Sequence, residues 1–124
     1  MDHALEERFQ KLKTHLEKTF GEGMDLQAML FLIGVNELGV GHRNFSKQEK
    51  TDLLHVAICT LLEPYGHYEF DYRDEENWPH FKLVNELPAL THSEQQHLIK
   101  EAMIDYFIAN DYYSEDSNNE VQPE

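Results

Sequence analysis

Residues 3–20 carry Leu5, Phe9, Leu12, Leu16 and Phe20 at steps of 4, 3, 4 and 4. That spacing returns each side chain to one face of a helix with 3.6 residues per turn. Glu6, Glu7, Lys11, Lys13, Glu17 and Lys18 fill the remaining positions, and Gly21 stands where a left-handed C-terminal residue commonly closes a helix. The pattern predicts an amphipathic helix.

Residues 25–38 follow another rule. Leu26, Ala28, Met29, Leu30, Phe31, Leu32, Ile33, Val35 and Leu38 leave almost no polar face. A helix apolar nearly all round is expected to be covered on most sides, so this second helix is predicted to be the innermost. Gly34 would let another helix approach closely, where a merely tolerated glycine costs about 1 kcal/mol of helix propensity. Gly39-Val40-Gly41 ends the segment.

Ser46-Lys47-Gln48-Glu49 has the capping-box pattern, and the helix it opens is expected to run to about Glu63, with Pro64 as the stop. Leu53, Leu54, Ala57, Ile58, Leu61 and Leu62 form its expected core face. Thr91-His92-Ser93-Glu94 repeats the pattern before a last helix reaching about Asn110, with Leu98, Ile99, Ala102, Met103, Tyr106 and Phe107 as its stripe. Between these helices Tyr68, Phe70 and Tyr72 alternate with Glu69, Asp71 and Arg73, as in a strand. Asp74 to Asn77 could turn the chain so that Trp78 to Val84 pairs back, with Pro79 confining that segment to an edge. An ordered aromatic loop is the competing expectation. The pattern as a whole predicts a mainly α, four-helix bundle-like single domain over residues 1–113. A short β-hairpin or aromatic loop separates its third and fourth helices, and residues 114–124 form a disordered acidic tail.

Charge changes this picture more than composition does. The 124 residues carry 24 acidic against 10 basic side chains, a net charge of −14. Leaving out Glu115, Asp116, Glu120 and Glu124 near the C-terminus still leaves 20 acids against 10 bases. Such a surface repels phosphate backbones and anionic lipid, which argues against nucleic acid and membrane as partners. It suits another protein with a basic surface. With a single cysteine, Cys59, no internal disulfide can form, and Met1 to Glu7 lacks the apolar run of a signal peptide. A cytoplasmic location is the simplest expectation.

Eight histidines invite a metal. Asp52, His55, Cys59 and Glu63 fall within about 80° of arc on the third helix, one stripe of potential ligands for a divalent transition metal such as zinc. No cofactor is otherwise predicted. A solvated helix face that happens to carry a cysteine is the plainer reading, and the convergence of His42, His67, His80 and His97 with this stripe is open. Glu94 and His97 on the last helix, with Asp52 and His55, imitate the Glu-x-x-His pairs of di-iron bundles, and Glu37 and Glu17 could serve as the lone carboxylates. Glu94 and His97 lie off the core stripe, however, whereas a buried dimetal centre needs inward ligands. The run Glu69, Asp71, Asp74, Glu75, Glu76 lacks the spacing and turn glycine of a calcium loop. His55 one turn before Cys59 could assist a thiol nucleophile, but no third orienting group is evident.

Two features suit a binding surface. Ile104 and Ile108 lie away from the last helix's main stripe, which would fit a partner or a two-fold homodimer. Glu69, Asp71, Tyr72, Glu75, Glu76 and Trp78 combine carboxylates with the aromatic side chains enriched at interfaces. The same rings could instead close the open end of the helices. The sequence therefore leads to a non-enzymatic protein–protein interaction module of adaptor, inhibitor or immunity type. A metal-binding protein or metal-dependent enzyme using the third-helix stripe is the alternative.

Overall fold

The computed structural model describes residues 3–41 and 43–115. The chain is mainly α, with four helices and one two-stranded antiparallel sheet among the described residues. In order these are α1 (His3–Phe20), α2 (Leu26–Leu38), α3 (Lys47–Leu62), β1 (Tyr68–Arg73), β2 (Pro79–Leu83) and α4 (His92–Ala109). Two compact units divide it, Met1–Met24 with His92–Glu124, and Asp25–Thr91. Among the described residues no helix is long and apolar enough to cross a membrane.

The first unit pairs α1 with α4. Leu5, Phe9, Leu12 and Leu16 are buried, as their spacing requires, while Phe20 at the end of the stripe is 39% exposed. Lys100 reaches from α4 to Glu6, 2.8 Å away, and lays its ammonium over the Phe9 ring. The helical stripe of α4 is wider than its sequence suggests. Ala102, Met103, Tyr106 and Phe107 are buried, and so is Ile104, whereas Leu98 and Ile99 are half-buried. Beyond α4 the chain stays tied to α1. Tyr113 is buried with its ring 5.2 Å from that of His15, and Arg8 makes a two-pronged contact with Glu115 at 2.8 and 3.3 Å. Of the expected acidic tail, Ser114 and Glu115 are thus placed, and residues 116–124 lie outside the described residues.

The second unit is built on the α2–α3 crossing. Asp25 caps α2 through Ala28 N–H, and Gly39 closes it in the left-handed region at φ 79°. Ser46 and Glu49 form the reciprocal capping box of α3. Gly34 is the point of closest approach. A Cβ there would fall on the Leu53 carbonyl, 2.9 Å from its carbon and 3.0 Å from the Leu53 Cβ. Around it, Val35, Leu38 and Leu53 form a core cluster against which Phe31, Phe45 and Trp78 pack.

The second helix is covered on most sides, as expected: Met29, Ile33, Gly34, Val35 and Leu38 are buried, Leu26, Leu30, Phe31 and Leu32 are half-buried, and Gln27 and Asn36 are the residues left exposed. The core face of α3 differs from the expected one. Val56 and Cys59 are buried, and Leu54 and Ile58 are half-buried. Val56 borders the groove that Trp78, Pro79 and Phe81 of the hairpin also line.

Strands β1 and β2 pair with Tyr68 opposite Leu83, Glu69 opposite Lys82, and Phe70 opposite Phe81. A bulge at Asp71 then shifts the register, so that Tyr72 faces His80. The alternation in sequence puts Tyr68, Phe70 and Tyr72 on one face. The bulge instead carries Tyr72 to the face of Glu69, Lys82 and His80, because one extra residue reverses side-chain direction.

Replacing Gly34 with Ala would add helix propensity of about 1 kcal/mol. The clash with α3 main chain should outweigh it, giving a net loss of roughly 1–3 kcal/mol in urea denaturation with unchanged m-value.

Candidate functional site

The hairpin is bolted to the end of α2. The last carbonyls of any helix lack intrahelical partners. Here Arg73 Nη2 donates to the Glu37 carbonyl at 2.8 Å, and Asn77 Nδ2 donates to the Leu38 carbonyl at 3.1 Å. The second guanidinium nitrogen, Nη1, donates to the Asn77 carbonyl at 2.8 Å, which ties the turn to the helix end. Trp78, expected as part of an interaction surface, is drawn inward against Val35, Leu38 and Leu53 and is half-buried.

Asp74 organises the turn. Its Oδ1 accepts from the N–H groups of Glu76 at 3.0 Å and Trp78 at 2.9 Å. Its Oδ2 lies 2.9 Å from His80 Nε2, whose ring stacks on Tyr72 at 4.7 Å with planes 6° apart. The His80 bond, then the Trp78 N–H, hold the Asp74 carboxyl below its ordinary pKa. Asn77 completes the turn in the left-handed region, at φ 72°. At the other end of the hairpin, His67 Nδ1 meets the Asn85 carbonyl at 3.0 Å, and since a carbonyl only accepts, Nδ1 carries the proton.

A groove of about 640 Å³ runs between α3 and the hairpin. Glu49, Asp52, His55 and Val56 line it from α3, and Asp74, Glu76, Trp78, Pro79, His80 and Phe81 from the hairpin. Its carboxylates are unequally compensated. Glu49 is held by Arg43 at 3.2 Å and by its capping role, which with the Ser46 N–H as the larger cause lowers its pKa. Asp52 accepts only a neutral amide, from Gln48 at 3.0 Å.

The proposed ligand stripe does not converge. His55 Nε2 and Cys59 Sγ touch at 3.5 Å, but Asp52 turns to Gln48, and Glu63 Oε2 accepts the Phe70 N–H at 3.1 Å. Among the described residues no three or more His, Cys, Asp or Glu side chains are grouped to hold a metal. His42 lies outside the described residues. Cys59 is also not on a solvated face, since it is fully buried, and burial pushes its thiol up to about 11. A nucleophilic thiol needs the opposite shift.

Ile104, expected at a partner surface, is fully buried, and Ile108 is half-buried. The reason is angular. At 100° per residue Ala102, Tyr106, Met103 and Phe107 span about 140°, and Ile104 lies about 60° beyond them, so the buried arc of α4 is wider than its main stripe. Glu69, Asp71, Tyr72, Glu75 and Glu76 are exposed as expected. Sequence reading missed Phe70, Leu83 and Val84, which are 44%, 52% and 52% exposed. Alternation marks such residues as candidates for an inner face, and only the placement of the hairpin reveals them as outer. No family model, curated protein or solved structure matches the chain.

Two outcomes follow. Cys59 should resist thiol reagents until the protein unfolds. Its folded pKa is raised, so its contribution to stability is complete below the unfolded value and is lost as pH rises from about 9 towards 11. In denaturation series, wild type should lose on the order of 1 kcal/mol per pH unit more than Cys59→Ala across that window. Asp74 behaves oppositely. Its folded pKa is lowered, so its support of the turn is complete above the ordinary carboxylate pKa of about 3.9 and is lost as pH falls through the depressed value. Amide exchange at Glu76 and Trp78 should quicken in that acid range, and at neutral pH in Asp74→Ala.

Proposed function

We propose that this protein is a non-enzymatic protein–protein interaction module of adaptor, inhibitor or immunity type. It acts in the cytoplasm, and its partner presents a basic surface. The observation that carries the reading is the outer hairpin. Exposed Phe70, Tyr72, Leu83 and Val84 stand among the exposed carboxylates Glu69, Asp71, Glu75 and Glu76. The strands that bear them are anchored by the Arg73, Asn77 and Trp78 contacts with the α2 end.

Rigidity matters here. A loop that must order itself on binding loses affinity to conformational entropy, whereas a pre-formed hairpin does not. Aromatic side chains supply contact area with few rotatable bonds, and surrounding acids steer and orient a basic partner. The net charge of −14 favours a partner of opposite sign over a second copy of the chain. With Ile104 buried, the α4 patch that suggested a homodimer is reduced to the half-buried Ile108.

Reversing Glu69, Asp71, Glu75 and Glu76 together to Lys should reduce capture of the partner from cell extract several-fold, with helix content unchanged by circular dichroism. Raising salt should weaken capture by the wild type in parallel. Unchanged capture by the reversed variant would remove the hairpin acids from the function.

A further inference from the structure

The two outer edges of the hairpin are unequal. The Val84 N–H reaches inward to the His67 carbonyl at 2.9 Å, while the Phe70 N–H points away from β2 to Glu63 Oε2. In an antiparallel ladder inward and outward residues alternate along each strand. With the observed register, Glu69 and Lys82 bond inward, and Tyr68, Phe70, Phe81 and Leu83 direct their main chain outward. The β1 edge is therefore closed at Phe70 by a carboxylate. Among the described residues, the N–H and C=O groups of Phe81 and Leu83 on the β2 edge meet no partner and the sheet has no third strand.

Such a row of unpaired groups is a template for another strand. Leu83 and Val84 beside it are each 52% exposed. Next to Phe81 runs the α3–hairpin groove, where Asp52 meets only an amide and Glu76 meets no cation among the described residues.

We infer that the outer edge of β2 takes an extended, basic segment of a partner protein as a third, antiparallel strand, bonded to the main chain of Phe81 and Leu83, with Lys or Arg side chains over Asp52 and Glu76. The inference rests on the interaction reading above and adds the partner's form. A helix could not satisfy main-chain groups spaced two residues apart along a strand, about 7 Å. The five residues of β2 admit a segment of similar length. Charge selects its composition, because a second copy of this chain would bring further acids to the groove.

The test uses the full chain and a labelled heptapeptide alternating Lys with Val. Binding should slow amide exchange at Phe81 and Leu83. Leu83→Pro deletes one outward N–H and leaves the β1–β2 ladder intact, since position 83 does not donate to it. Affinity should fall about fivefold or more, the worth of one lost hydrogen bond. N-methylating the peptide's bonding amides should do the same on the unaltered protein, which guards against a misfolded variant. Absence of binding at millimolar peptide, or binding without change at Phe81 and Leu83, would overturn the inference. Loss of binding on reversing Glu69, Asp71, Glu75 and Glu76, with Leu83→Pro and the methylated peptide as good as the originals, would overturn strand addition and leave the acidic-surface reading standing.

Discussion

Helix α2 can press its backbone onto α3 because position 34 has no side chain. The Leu53 carbonyl occupies the space that a Cβ would need. That approach brings Val35 and Leu38 onto Leu53, and the resulting cluster is the seat of Trp78. The α2 end is then within reach of Arg73 and Asn77, which bind its last carbonyls. The position of the hairpin, and so of every residue in the α3–hairpin groove, follows from one close contact between two helices. Few side chains would transmit a defect so far, since a backbone-to-backbone contact cannot relax by changing rotamer.

Electrostatics act on a second level. Several acids on the chain are occupied in structural work. Glu49 caps α3, Asp74 shapes the turn, Glu63 holds the Phe70 N–H, and Glu17 accepts from the Gly23 and Met24 amides. Asp71, Asp52, Glu75 and Glu76, by contrast, meet no cation among the described residues. Exposed ion pairs such as Glu69–Lys82 at 3.8 Å contribute little to stability.

Local signals in the sequence had direct structural counterparts. The Leu5–Leu16 stripe, the Ser46–Glu49 box and the Gly39 cap each depend on residues close in sequence, successive members lying about one turn apart. Non-local features were less legible. A hydrophobic stripe says that a face is covered but not by what. Thus Val56 and Cys59 went unrecognised as core, and Ile104 looked free. Four ligand-type residues on one helix side looked like a metal site, yet spacing along one helix cannot state which neighbour each side chain bonds. Asp52 and Glu63 found Gln48 and Phe70.

The sequence by itself determined the four helices, the Ser46–Glu49 and Gly39 caps and the excess of negative charge. These depend on periodicity, on side-chain-to-backbone bonds three residues apart, and on a count of acids and bases. Only the tertiary structure decided which aromatic residues face outward. One bulge at Asp71 reverses Tyr72, and the anchoring of the turn to α2 withdraws Trp78. The first depends on the register of two strands across their own turn and the second on a contact between residues 39 positions apart, and hydrophobic periodicity encodes neither.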